Sequence, residues 1–121
     1  SSVRPVLRKV EKEVGVCVAA RKKCVVYRLT SDVMLPRYRQ GDVFIGSPLH
    51  SRQSESGLRG CLCVVCFDAN QHELGYVADI KPRKKSICLI RSAGSEDSVT
   101  IKQGYYESIW PITTIVYAEG Q

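Results

Sequence analysis

No apolar run in this chain approaches the roughly 18 residues that a membrane-spanning helix requires. No secretory leader pattern opens it. Both absences set the expectation of a cytoplasmic protein that does not enter the membrane. There is no glycine-rich phosphate loop, no paired-carboxylate site and no H-E-x-x-H helix, which removes the signatures of nucleotide and zinc-peptidase chemistry. Internal repeats and low-complexity tracts are absent. Histidine occurs only at His50 and His72, both in polar surroundings that suit the surface. Large rings are few, with one Trp and two Phe.

The 121 residues amount to one domain. A chain of this size buries about two thirds of the surface it exposes when unfolded, enough for a core without disulfides or metals. Six cysteines are present, but Cys17, Cys24, Cys61, Cys63, Cys66 and Cys88 each stand beside Val, Leu or Ile. Stapled folds instead space their cysteines along loops. The expectation is buried, reduced thiols. Cys61, Cys63 and Cys66 form C-x-C-x-x-C, which lacks the paired knuckles of a zinc site. On an extended strand Cys61 and Cys63 share a face and Cys66 takes the other. No metal and no cofactor is expected.

The formal net charge is +6, concentrated in Arg21-Lys22-Lys23, Arg37 with Arg39, and Lys81 to Lys85. The aromatic residues are not interleaved with these clusters as stacking platforms would be. The clusters therefore read first as solvated faces.

Pro5 suits a first helical position, and Val6, Val10 and Val14 recur every four residues before Gly15. The pattern predicts a short helix over 5–14 within an N-terminal linker, residues 1–15. Ser1-Ser2 reads as a cloning scar or as the edge of a longer parent chain. Residues 16–121 form the domain proper. Strand signals cover 16–20, 24–29, 43–46, 61–67, 74–80, 86–91, 99–102 and 109–118, and Pro82 ends the fifth of these. The last strand is expected to break near Pro111, which a central ladder would not tolerate. Residues 47–60 read as an exposed loop. Many short strands at even spacing predict a mostly β, barrel-type fold.

The informative stretch is Tyr27 to Ile45. Met34-Leu35-Pro36, four residues, Gly41-Asp42 and the apolar Val43-Phe44-Ile45 follow a strand at 26–30. This frame resembles the nucleophile region of the LexA, UmuD and phage-repressor self-cleaving peptidases, which share a fold with signal peptidases. The resemblance runs over roughly residues 24–118. It implies a LexA-like, barrel-type β fold with a short N-terminal helix, and Met34, Pro36, Gly41 and Asp42 as family-motif positions.

The same resemblance places the catalytic serine at Val33 and the catalytic lysine at Ala78. That chemistry needs a hydroxyl nucleophile and a desolvated, neutral amine. Neither residue supplies one, which implies a site closed over into core. Ser31 and Lys81 are the nearest substitutes, and two strand residues displace Ser31 by about 6–7 Å. The implied protein is the catalytically inactive oligomerisation domain of a phage or prophage transcriptional repressor. A preceding helix-turn-helix domain would read operator DNA, and an antirepressor protein would relieve repression. Interface candidates are Tyr105 and Tyr106, whose adjacent side chains point to opposite faces, together with Trp110, Val6 and Val10. Trp110 also suits the core. Two alternatives stand beside this reading: an active self-cleaving peptidase using unusual residues, and a stand-alone nucleic-acid-binding β-barrel.

Overall fold

The computed structural model describes residues 1–6, 24–47, 55–91 and 101–118. These form eight strands: β1 (Val3–Pro5), β2 (Val25–Leu29), β3 (Val43–Gly46), β4 (Leu62–Asp68), β5 (Gln71–Lys81), β6 (Ser86–Ile90), β7 (Ile101–Tyr105) and β8 (Ser108–Val116). Every pairing is antiparallel, in the order β1-β2-β3-β8-β4-β5-β6-β7. The fold is mostly β, as the strand signals predict, and the sheet curls into a half-barrel. Among the described residues no helix is long and apolar enough to cross a membrane.

β8 joins the two halves of the sheet. Its first residues pair with β4, from Ser108 to Pro111, and its later ones pair with β3, from Ile112 to Val116. The expected break at Pro111 does not occur. Pro111 sits where β8 changes partner, so the β3 ladder begins only at the next residue, and its carbonyl accepts from the Ser47 amide at 3.1 Å. A proline is tolerated where one side of the strand is locally an edge.

Two bulges set which side chains point inward. Thr113 is the extra residue opposite Ile45 and Gly46, and its hydroxyl donates to the Ile45 carbonyl at 3.2 Å. Three residues apart, Ile112 and Ile115 would otherwise face opposite sides; both pack on the same core. Ala78 is the extra residue of β5 opposite Leu89 and Cys88. It lets Val77 and Ile80 share one core in the same way.

β4 is buried on both faces, as its continuous apolar run predicts. Cys63, Val65 and Phe67 pack with Val77, Ile80, Ile87, Leu89, Tyr106 and Ile109 on one side. Val64 packs with Tyr27, Leu29, Phe44 and Leu74 on the other. Each fully buried aliphatic or aromatic chain contributes about 1.5–3 kcal/mol, so these two clusters hold the sheet together.

Pro5 and Val6 do not open a helix. Pro5 lies in β1 opposite Tyr27, and the Val6 amide donates to the Val26 carbonyl at 2.9 Å. The remainder of the expected helix, including Val10, lies outside the described residues, as do Cys17 and His50. Ser2 fastens the β1 edge to β5. Its amide donates to the His72 carbonyl and to Glu73 Oε1, and its hydroxyl accepts from the Leu74 amide. Glu73 is buried and also pairs with Arg91, which satisfies a charge that would be costly alone. The expected exposed loop at 47–60 contains a 3-10 turn, Glu55–Leu58, that buries Leu58.

Candidate functional site

The loop from Thr30 to Gly41 is held by three kinds of contact. Met34 is buried in the core beside Leu29 and Phe44. The Tyr38 amide donates to the Met34 carbonyl at 3.1 Å, closing a helical turn around the cis Leu35–Pro36 bond. Gly41 and Asp42 end the loop. Gly41 adopts φ +99°, and a Cβ there would lie 3.3 Å from the Ala118 Cβ. Asp42 is buried; its Oδ2 accepts from the Arg39 amide at 3.0 Å and its Oδ1 from the Ala118 amide at 2.7 Å. The M-x-P-x4-G-D frame is thus a structural clamp that fixes the loop to the segment just after β8.

The positions where the resemblance expects a serine and a lysine carry no reactive group. Val33 is half-buried and packs against the core. Ala78 is exposed at the β5 bulge, which corrects the expectation that this position had closed over into core. A serine nucleophile needs a base within hydrogen-bond reach. The hydroxyl of Ser31 is buried and has no hydrogen-bond partner among the described residues. Lys81 is exposed at the end of β5.

What joins the loop to β5 is a set of tyrosines. Tyr38 and Tyr76 meet hydroxyl to hydroxyl at 3.0 Å, and Arg37 Nη1 donates to the Tyr76 hydroxyl at 3.1 Å. The Arg37 guanidinium also lies 5.6 Å from the Tyr76 ring centre. Tyr38 packs edge-on to Phe44 and stacks on exposed Tyr117 at 6.4 Å. Burial, then the Tyr76 contact, pushes the Tyr38 hydroxyl above its usual range. The Tyr76 hydrogen bond raises Arg37 as well. None of these four residues stands out from spacing alone. Tyr38, between Arg37 and Arg39 in sequence, is an aromatic interleaved with a basic cluster, which corrects the expectation that none is.

The interface candidates separate. Tyr105 is exposed and Tyr106 is fully buried, as opposite faces of a strand require. Tyr106 is therefore a core residue, with its hydroxyl on Glu55 and its ring beneath Lys85 at 5.3 Å. Trp110 is half-buried opposite Val64, and Val6 is half-buried against Val26, Val43 and Ile45. Sequence reasoning missed Ile101, which is 59% exposed on β7, the last strand of the described sheet. The registers align Leu62, Tyr76, Ile90 and Ile101 in one row across β4, β5, β6 and β7. An apolar row therefore runs from the core to β7, the edge of the sheet among the described residues.

The three thiols of C-x-C-x-x-C do not converge. Cys61 is exposed, Cys63 is buried beside Val65, and Cys66 donates to the Asp68 carbonyl at 2.9 Å. Cys24, Cys61, Cys63, Cys66 and Cys88 are all free thiols. His72 is half-buried rather than a plain surface residue, with Nδ1 3.2 Å from the Tyr27 hydroxyl. Comparison with protein-family models, curated proteins and solved structures returned no match for this chain.

Proposed function

We propose that this chain assembles rather than cuts: a LexA-like C-terminal oligomerisation domain of a phage or prophage transcriptional repressor, without peptidase activity. The observation that carries the reading is the apolar row ending on β7, the edge of the sheet among the described residues. An edge strand with exposed Ile101 and Tyr105 and no further partner strand among the described residues is a template for a second strand. A second copy of the chain supplies that strand by antiparallel β7–β7 pairing across a two-fold axis, which satisfies both edges at once.

The dyad positions support the same reading. Val33 and Ala78 have no atom that attacks or takes a proton, while Gly41 and Asp42 keep the surrounding loop in place. The five cysteines among the described residues are free thiols, which suits a reducing, cytoplasmic setting. In the parent repressor, dimerisation would set two helix-turn-helix heads at a fixed half-site spacing and raise their effective concentration on operator DNA. Without self-cleavage, release comes from outside, through an antirepressor protein that binds this domain. Intact-mass measurement after prolonged incubation at alkaline pH tests the loss of peptidase activity. The chain should keep its full mass, whereas a discrete cut on the N-terminal side of Val33 would contradict the reading.

A further inference from the structure

Arg4 and Arg28 stand directly opposite each other across β1 and β2, and both are exposed. Residues opposite in an antiparallel pair share a face with Cβ atoms about 5 Å apart, where like charges are unfavourable. Arg28 also lines an open groove of about 540 Å³ with Arg39, Gln40, Thr30 and Asp32. Arg39 is exposed, and its contacts among the described residues are backbone ones to Asp42: its amide donates to Asp42 Oδ2 and its carbonyl accepts from the Asp42 amide.

Acidic partners are placed elsewhere. The ion-paired cations among the described residues are the Ser1 amine, Arg59, Lys85 and Arg91. Asp32, the one carboxylate lining the groove, pairs with none of the three arginines. Arg4 and Arg28 thus share one face of the sheet, Arg28 and Arg39 share one groove, and none of the three is ion-paired among the described residues. The chain as a whole carries +6.

We propose that Arg4, Arg28 and Arg39 form a docking stripe for the phosphate backbone of double-stranded nucleic acid. The inference goes beyond the assembly reading and does not depend on it. A duplex presents about one negative charge per 1.7 Å of its axis, and relieves the Arg4–Arg28 repulsion by releasing its own counterions. Guanidiniums grip phosphate oxygens with two parallel hydrogen bonds, and the Gln40 amide belongs to the same set of backbone-positioning groups. The groove is open, with Arg28, Arg39 and Gln40 on its lining beside Leu29 and Gly41, and contacts to phosphate carry no sequence information. It therefore positions a duplex without reading its sequence.

The test is fluorescence anisotropy of a mixed-sequence duplex titrated with the intact chain across a salt series. Two variants of equal charge change are compared: Arg4→Ser/Arg28→Ser/Arg39→Ser, and Lys81→Ser/Arg83→Ser/Lys84→Ser, which removes three exposed cations from the end of β5 and the adjoining 3-10 turn. The wild-type chain should bind with affinity that falls steeply with salt. The stripe variant should lose at least about tenfold at low salt and show a log–log slope shallower by about 2–3, roughly 0.9 per lost phosphate contact. The second variant should keep most of the binding. Matching circular dichroism spectra verify that both variants are folded. Absence of duplex binding at low salt, or equal losses in the two variants, would overturn the proposal. Displacement of the duplex by polyglutamate at equal charge concentration would also overturn it, marking the stripe as a site for an acidic protein.

Discussion

The Ala118 amide donates to Asp42 Oδ1 at 2.7 Å, across a sequence separation of 76 residues. This one bond ties the end of the Thr30–Gly41 loop to the segment just after β8. The other carboxylate oxygen holds the Arg39 amide. Asp42→Ala removes both acceptors and leaves two amides to find water. A hydrogen bond to a charged group contributes about 1.5–3 kcal/mol, so losing two should cost about 3–6 kcal/mol by urea unfolding. Gly41→Ala adds a Cβ at positive φ against Ala118 and should cost about 1–2 kcal/mol.

Restoring the family's reactive residues should not restore cutting. Ala78 is exposed at a bulge, so the amine of Ala78→Lys would stay solvated and protonated near neutral pH. The hydroxyl of Val33→Ser would lack a neutral base. The double variant Val33→Ser/Ala78→Lys should remain intact by mass spectrometry after days at pH about 7–8, where a solvated lysine titrates near 10.4. Self-cleavage of this variant would mean that the β5 bulge rearranges to bury the amine.

Alkaline pH should destabilise the fold, in part through Cys63. Burial pushes its thiol up to about 12, with the neighbouring Cys61 adding to the rise. An unfolded thiol ionises near roughly 8.5. A pKa raised on folding gives stability that is complete below the unfolded value and is lost as pH rises toward the folded one. The window therefore runs from roughly 8.5 to 12. Cys63→Val should flatten the stability–pH slope across it, measured by urea unfolding at several pH values. In the native state exposed Cys61 should react with a thiol reagent at once, and Cys63 only on unfolding.

Much of the sheet was legible because β-branched runs and turn residues mark strands directly. The strands at 43–46 and 86–90 fall where the runs place them. β5 begins earlier than expected, at Gln71, because a tight turn at Ala69-Asn70 lets polar residues join the ladder. Pro111 misled because its effect depends on which side of the strand is paired, and β8 changes partner there. The bulges at Ala78 and Thr113 shift the inward face by one residue, which simple alternation does not encode. Pro5 carries equal meaning at a helix start and at a sheet edge, and the pairing of β1 with β2 decides for the edge. The Arg37–Tyr76–Tyr38–Tyr117 cluster joins three distant stretches of the chain, so no local pattern announces it.

The most direct measurement is the solution mass of the chain over a concentration series, for the wild type and for Ile101→Glu and Tyr105→Glu. Both side chains are exposed on the β7 edge, so the substitutions should leave the fold intact. The expected result is a closed dimer or larger assembly that dissociates on dilution, with each substitution weakening it at least tenfold, about 1.4 kcal/mol. A strict monomer at the highest concentration would contradict assembly through this edge and the function proposed for it.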